Sequence, residues 1–460
     1  MGIRGLFYLY ILLVASVSLA SYKKGIYLIW LTLLFIPTII LEQWIKLGMP
    51  LMTVLMFCSI IMELRLVERR SLWRDFFVDN QKAILAYLFI AFVIIFLSQT
   101  VPVIEQFRCL CCEIAMLLFA LQTFILVKND IQAASALRKI VCWAIAYNMA
   151  FCIIFEMFLG VNPAGMPLYI ILGEDDNEFI TDMIDAERGN MSFRAQTVYR
   201  HALSLGQYLL VILPLFLTKG KIMMKFIIVI MICFLILVSG SRGAMVPMIL
   251  VLLWGFWGLQ KGSGSLLRKS VLFIIIFMIA ASFVPNKVWK KVSMEVEPIV
   301  ASIQFWDDDK QKDNDISGSS MEMRFDQFDA ALTEIEDNPI FGRGYGYRDY
   351  YIYVHNALHP DLLGFESVLL LYLVERGWLG LVFFFMMTYF IYKLFVNDLS
   401  EKTIIRLVFI GYLLSIIMTG VRPLTLLFVC LTCSIVYGLS QKQDDHLLDN
   451  LQPQESDIAL

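Results

Sequence analysis

The chain has 460 residues, of which 59% are hydrophobic and only 17% are charged, and its mean hydropathy is +0.73. Soluble domains carry about 25% charged residues, and a soluble chain of this length would divide into domains joined by polar linkers. These values exclude a soluble enzyme, a disordered scaffold and a nucleic-acid binder. The formal net charge of −3 is too small to indicate a polyanionic partner.

Apolar runs long enough to cross a bilayer recur along the chain. A membrane-spanning helix needs about 20 mostly apolar residues, and it satisfies its own backbone hydrogen bonds in lipid. The sequence therefore predicts an all-α, polytopic integral membrane protein with about 12–13 transmembrane helices. The predicted spans are 3–20, 25–44, 48–63, 84–102, 110–127, 140–160, 202–218, 224–240, 244–259, 270–285, 378–396, 405–420 and 424–439.

Lysine and arginine are distributed unevenly between the short loops. One alternating set of loops is rich in these residues and the opposite set has few, and basic loops face the cytoplasm. This pattern predicts a cytoplasmic C-terminus and places the two long loops on the extracytoplasmic side. The basic set comprises Lys23, Lys24, Arg65, Arg69, Arg70, Arg74, Lys82, Lys128, Arg138, Lys139, Lys219, Lys221, Lys225, Lys261, Arg268, Lys269, Lys393, Lys402 and Arg406.

These patterns divide the chain into membrane segments and two long loops. Loops of such length are usually functional or disordered, and the polar, acidic C-terminal segment has the composition of a disordered tail. The predicted parts are N-terminal transmembrane helices at 1–160, a first extracytoplasmic loop at 161–200, central transmembrane helices at 201–285, a large extracytoplasmic loop with short helices at 286–377, C-terminal transmembrane helices at 378–440 and a cytoplasmic tail at 441–460.

Neither the cysteines nor the acidic runs give a strong metal-site pattern. The nine cysteines lie outside the two long loops and nearly all in apolar stretches, which favours small hydrophobic residues in membrane helices over a disulfide framework. The acidic runs at 174–178 and 307–309 are typical of solvated connectors. A divalent-cation site is the alternative, although consecutive carboxylates lack the spacing of a calcium loop.

The large loop changes character at Met321. From there to Pro339, apolar residues recur at helical spacing, with Phe325, Phe328 and Leu332 on one face. Proline then ends the pattern. The stretch predicts an amphipathic helix whose apolar face lies against the membrane domain.

A glycine-rich stretch follows at 341–348, with the sequence Phe-Gly-Arg-Gly-Tyr-Gly-Tyr-Arg. Alternating glycines permit a tight backbone. Arg343 and Arg348 could hold anionic groups there, while Tyr345 and Tyr347 could stack on sugars. An ordinary turn between helices is the alternative, and a nucleotide loop is excluded because no strand precedes it.

Arginines are frequent on the face where positive charge is normally scarce. Arg242 lies in a tight turn between two apolar spans, where a charge near membrane depth is costly and usually functional. Guanidinium groups bind phosphate bidentately and keep their charge, so the cluster predicts a site for a lipid-linked phosphate or pyrophosphate. Snorkelling towards headgroups is the alternative. The arginines of this face are Arg188, Arg194, Arg200, Arg242, Arg324, Arg343, Arg348 and Arg422.

Few residues on the same face could act as a general base. Glu366 opens an apolar helix, where desolvation would raise the pKa of its carboxyl group and suit it to that role. His355 and His359 are the other candidates, and His201 opens a span. The alternatives are a carboxylate that stabilises a helix N-terminus and histidines that are merely on the surface.

Three segments together resemble the O-antigen ligase/polymerase superfamily, the Wzy/WaaL-type membrane glycosyltransferases. Residues 239–244 are similar to the family's Ser-x-Ser-Arg-Gly-Ala turn. Arg324 with residues 338–344 resembles its arginine-bearing helix followed by Asn-Pro-Leu-Phe-Gly-x-Gly. Residues 366–380 resemble the helix that ends in Glu-x-Gly, two hydrophobic residues and Gly, and Arg194 is similar to the family's first-loop arginine.

The resemblance implies a GT-C-like fold in the bacterial inner membrane and a metal-independent, inverting transfer without a cofactor. The donor would be an undecaprenyl-pyrophosphate-linked glycan. Arg242 and Arg324, with Arg194, would bind pyrophosphate, and Glu366 or His355 would be the base. The sugar would contact Arg343, Tyr345 and Tyr347, and Arg200 and Arg348 would bind pyrophosphate or sugar.

Ligase-like members usually have His-Asn where this chain has Glu366-Ser367, which favours a polymerase over a ligase. A polymerase would extend an O-antigen or capsular polysaccharide, with a chain-length regulator as a possible protein partner. A ligase would transfer glycan to lipid A-core. A transporter or flippase is the alternative from another class, but transporters tend to have internal repeats and midplane charges, and this chain has neither pattern.

Overall fold

The computed structural model describes residues 3–42, 49–98, 100–160, 162–165, 194–199, 201–217, 222–258, 321–362, 367–396, 402–418 and 424–451. Within those ranges the regular elements are helices and no strand occurs. Every predicted span except 270–285, which falls outside the described residues, coincides with a helix. The prediction of an all-α polytopic membrane protein is confirmed.

The first half of the chain forms a series of helices joined by short connections. A π-helical segment, Cys152–Phe158, continues the last of them. The helices are α1 (Ile3–Ala20), α2 (Tyr22–Phe35), α3 (Thr38–Leu41), α4 (Leu51–Leu64), α5 (Val67–Asp79), α6 (Gln81–Leu97), α7 (Val103–Asn129) and α8 (Ile131–Phe151).

The second half contains the remaining helices and the described part of the large loop. The helices are α9 (Ala202–Ile212), α10 (Ile222–Val238), α11 (Arg242–Gly258), α12 (Met321–Glu334), α13 (Tyr347–His355), α14 (Val368–Val396), α15 (Lys402–Met418) and α16 (Leu424–Leu451). The last helix continues into the segment predicted as a disordered tail, because no glycine or proline interrupts the chain there before Pro453.

Four helices among the described residues are long and apolar enough to cross a membrane by themselves. A fifth span arises if α5 and α6, which meet at a bend of 76°, are counted together. Shorter apolar helices occupy most of the other predicted spans. The four long segments are Val103–Asn129, Ile131–Phe158, Val368–Val396 and Leu424–Gln441.

Basic loops meet at one end of the helical bundle, which we call the lysine-rich end. Lys23 Nζ lies 2.7 Å from Asp130 Oδ2, so the start of α2 contacts the α7–α8 connection. Arg69 of α5 binds Glu63 of α4 at 2.6 Å and also lies over the ring of Tyr22. Three loops that the charge pattern assigned to one side of the membrane are therefore adjacent.

Loops of the other set meet at the opposite end, which we call the arginine end. Thr38 N, beyond the end of α2, donates to Val198 O of the first long loop at 2.9 Å. Asn338 Nδ2 of the large loop donates to Leu97 O at the end of α6 at 3.1 Å. Helices α2 and α6 begin at the lysine-rich end. The two long loops are anchored at the opposite ends of these helices.

Helix α14 is interrupted at Gly377, whose φ of 63° and ψ of −167° are not helical. The break would leave two carbonyl groups before it and two amide groups after it without partners. Residues 338–344 supply all four partners: Arg343 N and Gly344 N donate to Val374 O and Glu375 O, both at 2.8 Å. Trp378 N and Leu379 N donate to Pro339 O and Ile340 O, at 2.9 and 3.1 Å.

We call this arrangement the helix-break interlock, and it requires glycine at two positions. Gly377 has a φ of 63° and Gly342 a φ of 68°, a region that other residues rarely adopt. A Cβ on Gly377 would overlap the carbonyl group of Ile340, and one on Gly342 would lie 2.5 Å from Val374 O. The interlock therefore fixes the glycine-rich turn against the kinked helix.

The predicted amphipathic helix is present as α12, but its buried face differs from the expectation. Ala331 and Gln327 are buried, whereas Phe325 and Phe328 are 65% and 40% exposed. Ala331 packs in a cluster with Leu373 of α14. The prediction of inward-facing phenylalanines was wrong because the interlock at the end of α12 fixes which side of the helix faces α14.

Replacing Gly377 with alanine should destabilise the protein by about 3 kcal/mol, since the backbone conformation there is accessible essentially only to glycine. Unfolding of the purified protein in mixed detergent micelles would measure the loss. Gly411→Ala in α15 is the matched control, because a Cβ there makes contacts of 3.4 to 3.7 Å only. Equal stability of the two variants would contradict the role assigned to Gly377.

Candidate active site

Arg242 begins α11, directly after the tight turn of residues 239–241. Gly240 has a φ of 60°, and the Ser239 hydroxyl accepts a hydrogen bond from Ser241 N at 3.3 Å. The N-terminus of a helix directs backbone N–H groups and a partial positive charge towards an anion. Arg242 itself is only 8% exposed. The turn therefore places a guanidinium group and a helix N-terminus together at the arginine end.

Arg194 of the first long loop reaches the same turn. Its Nε donates to Ser239 O at 2.9 Å, and the neighbouring Ala195 N donates to Val238 O at 3.2 Å. Burial and then the like charge of Arg242 lower the pKa of Arg194 to about 10. The two arginines predicted to bind pyrophosphate are thus close enough to repel each other, and a bound anion would relieve that repulsion.

An apolar cavity of about 100 Å³ opens between α7, α14, α15 and α16. Val368, Leu371, Thr425 and Cys430 are among its lining residues. The Thr425 hydroxyl lies 3.4 Å from Oε1 of Gln207 on α9. Because α9 also packs closely on the start of α11, this contact links the cavity to the Arg242 turn.

Glu334 at the end of α12 organises the glycine-rich stretch. Arg343 Nε donates to Glu334 O at 2.6 Å and lies 3.2 Å from its Oε1, and Arg343 also contacts Asp337. The Tyr347 hydroxyl donates to the same carboxylate at 2.5 Å. Burial, followed by this carboxylate, raises the pKa of the Tyr347 phenol. Two residues predicted to contact sugar are therefore held by one carboxylate that the sequence analysis had not selected.

Tyr345 faces the helix bundle and is 2% exposed. The centroid of its ring lies 4.1 Å from the guanidinium carbon of Arg376, and the ring of Tyr372 lies at the same distance from that carbon. Arg376 also binds Glu113 of α7 through both terminal nitrogens, at 3.2 and 2.5 Å. In this structure, Tyr345 joins the glycine-rich turn to α7 and α14.

Arg348 has a carboxylate partner in Asp349, with Nη2 and Oδ1 2.8 Å apart. Burial acts to lower the pKa of Arg348, but Asp349, Glu375 and Glu42 outweigh it and the pKa is raised. The pKa of Arg348 is therefore shifted in the opposite direction from that of Arg194, which is lowered. The role of Arg348 in substrate binding stays a prediction.

The two candidate histidines of the large loop have different surroundings. His359 is 8% exposed, its Nδ1 accepts hydrogen bonds from Asp361 N and Leu362 N, and its Nε2 lies 3.3 Å from Glu334 Oε2. This network requires the proton on Nε2. His355 is exposed and stacks on Tyr351, with ring centroids 4.3 Å apart. Both ring nitrogens of His359 are therefore engaged, and His355 is the more accessible of the two histidines.

Some predicted site residues fall outside what the structure describes. Glu366 and Arg200 are outside the described residues, and Arg324 has a described backbone on α12 but no described side chain. Ser367, which follows Glu366, is buried, and its hydroxyl donates to Ile416 O at 3.2 Å. Val368 then lines the cavity. The chain directly after Glu366 is therefore anchored beside the cavity.

Three carboxylates were missed when the candidate residues were chosen from the sequence. Glu113 and Glu156 lie in membrane spans, and an isolated carboxylate in an apolar run is itself a signal of function. Glu334 gave no such signal, because it lies among several acidic residues at the end of α12. Only the tertiary structure distinguishes it, through its contacts with Arg343 and Tyr347.

The affinity of these two arginines for inorganic pyrophosphate should fall as the pH rises from about 8 through about 10, because the lowered pKa of Arg194 brings loss of the Arg194 proton into that range. Binding would be measured on the purified protein in detergent across that range. In Arg194→Ala the affinity should already be lower at pH 8, the start of the range of about 8 to 10, and it should not decrease further as the pH rises. The same decrease in both proteins would show that another group causes it.

Residues 226–385 match a family model described as O-antigen ligase. The matched range contains the Arg242 turn, α12, the glycine-rich stretch and the kink of α14. No curated protein matches the chain. The family implies a glycosyltransferase-like enzyme that acts on lipid-linked glycans. The match makes residues 226–385 of this multi-pass membrane protein similar to the O-antigen ligase family.

Proposed function

We propose that the protein is a polysaccharide polymerase. It transfers a growing O-antigen or capsular glycan from undecaprenyl pyrophosphate to the terminal sugar hydroxyl of another lipid-linked repeat unit. The reaction takes place at the arginine end, which faces the extracytoplasmic side of the bacterial inner membrane. The lysine-rich end and the C-terminus face the cytoplasm, in keeping with the distribution of basic residues.

The pairing of Arg194 with Arg242 is the observation that carries this proposal. Both arginines are at the arginine end, and burial, followed by the charge of Arg242, lowers the pKa of Arg194. Two adjacent guanidinium groups at a helix N-terminus match the charge of a pyrophosphate group.

The transfer is a displacement at the anomeric carbon of the donor sugar. The base takes the proton of the acceptor hydroxyl, whose oxygen forms the new glycosidic bond. The bond between the anomeric carbon and the pyrophosphate oxygen breaks, and the lipid pyrophosphate leaves with the electron pair. Attack from the opposite face inverts the configuration. Arg194, Arg242 and Arg324 stabilise the charge that develops on the leaving group, and the reaction needs no metal ion.

Glu366 is our first choice for the base, and His355 is the second. Glu366 directly precedes Ser367, which is buried, and Val368, which lines the cavity, and a carboxyl group can act as a general base. His359 is the weakest candidate, because hydrogen bonds already engage both of its ring nitrogens. Arg343, Arg348 and Tyr347 border the acceptor sugar in this proposal.

Ligation to lipid A-core is the second candidate function. The description of the matching family model, O-antigen ligase, favours it. The chemistry at the donor is the same for both functions, and only the acceptor differs. Assays with defined acceptors therefore distinguish them.

Arg242→Ala and Arg324→Ala should each lower polymerase activity about 100-fold, since each removes charge stabilisation of the leaving group. The purified protein in proteoliposomes would be given lipid-pyrophosphate-linked repeat units, and the product ladder would be followed on a gel. Arg74→Ala is the matched control, because that arginine is exposed at the lysine-rich end. A ladder that persists in both site variants would contradict the proposal.

Glu366→Gln should abolish the ladder, with a loss of about 100-fold or more, while His355→Ala retains it. The reverse result would identify His355 as the base. The same preparations would be tested with lipid A-core as acceptor. A single product that forms only with lipid A-core would establish a ligase. Movement of lipid-linked sugar between leaflets without a new glycosidic bond would establish a transporter.

A further inference from the structure

Glu156 is a buried carboxylate in the π-helical segment that continues α8. The segment is otherwise apolar, with the sequence Cys-Ile-Ile-Phe-Glu-Met-Phe, and Glu156 is 6% exposed. Placing a carboxylate in such a segment is costly unless hydrogen bonds compensate it. Single turns of π-helix occur frequently at functional positions. The proposed mechanism gives this residue no role.

The carboxylate of Glu156 holds the first long loop. One of its oxygens, Oε1, accepts hydrogen bonds from Gln196 N at 2.9 Å, Thr197 N at 2.8 Å and Asn162 Nδ2 at 2.8 Å. The Thr197 backbone has a φ of 52°, which is uncommon outside glycine, and its hydroxyl bonds to Asn148 Oδ1 of α8. A strained backbone persists only where its surroundings fix it, and here the end of α8 does so.

The same loop carries Arg194, two residues before the first of these contacts. Arg194 and Ala195 bond to the carbonyl groups of Ser239 and Val238, at the turn before Arg242. The loop is thus fixed on one side by that turn and on the other by Glu156. Without the second anchor, repulsion from Arg242 would favour movement of Arg194 towards water.

We propose that Glu156 is a positioning residue: by binding the backbone of residues 196–197, it keeps Arg194 beside Arg242, where the two guanidinium groups receive an anionic pyrophosphate. A site held in its binding geometry before the ligand arrives loses less entropy on binding. The hydrogen bonds from residues 196–197 to Glu156 are observed whatever the protein does. That they serve pyrophosphate binding rests on the proposed function.

Two measurements on the full-length protein test this inference. Hydrogen–deuterium exchange would report the protection of Gln196 N and Thr197 N, and titration with undecaprenyl pyrophosphate would report affinity. Glu156→Ala should increase exchange at both amides about tenfold or more, and weaken the affinity about tenfold. Glu63→Ala is the matched control, because it removes another buried carboxylate, at the lysine-rich end. It should change neither value.

A double-mutant cycle separates positioning from a general structural effect. In the Arg194→Ala background, Glu156→Ala should lower the affinity less than twofold further, because the arginine that it positions is already absent. Glu156→Gln retains an acceptor oxygen and should recover most of the affinity and protection. It also keeps the test available if Glu156→Ala does not fold. A purely structural role would give additive losses and no such rescue.

The outcomes distinguish this inference from the proposed function. Unchanged exchange at Gln196 and Thr197 in Glu156→Ala overturns the positioning role alone. The positioning role is also overturned if Glu156→Ala exchanges faster but binds with normal affinity, while Arg194→Ala binds more weakly. Normal affinity in both variants overturns the assignment of Arg194 to pyrophosphate, and with it the proposed function.

Discussion

A break in the helical backbone at Gly377 is the constraint on which the rest of the arginine end depends. Polar backbone groups cannot remain unpaired in or near a bilayer, and the break leaves two carbonyl and two amide groups to satisfy. Residues 338–344 satisfy them all. These hydrogen bonds fix the turn of residues 338–344 against α14. Helices α12 and α13, which flank this turn, are thereby positioned as well. Two motifs that are distant in sequence are thus halves of one hydrogen-bonded unit.

The charges at this end fall into two groups that the fold separates. Arg343, Arg348 and Arg376 have carboxylates within bonding distance. Arg343 thereby joins the glycine-rich stretch to α12, and Arg376 joins α14 to α7. Arg194 and Arg242 form the second group, and burial followed by the charge of Arg242 lowers the pKa of Arg194. Clustered like charges are typical of sites that bind an opposite charge, so the second group carries the functional proposal.

A rigid surrounding is needed for such a repulsive pair to persist. Glu156 and the turn before Arg242 fix the first long loop from two sides. The residues involved belong to α8, the loop and the α10–α11 connection, which are far apart in the chain. In the same way, Glu334 links α12 to Tyr347 and His359. At both places, one buried or half-buried carboxylate organises a loop around the site.

The sequence by itself determined the class of fold, nearly all the helices and the family resemblance, because hydropathy over about 20 residues and short motifs are local properties. It also selected Arg194 and Arg242, since charge near membrane depth is conspicuous. Only the tertiary structure decided which carboxylates meet Arg343 and Arg376, which face of α12 is buried and why Gly342 and Gly377 are required. Those answers depend on contacts between distant segments, and neither spacing nor composition encodes which carboxylate will meet which arginine.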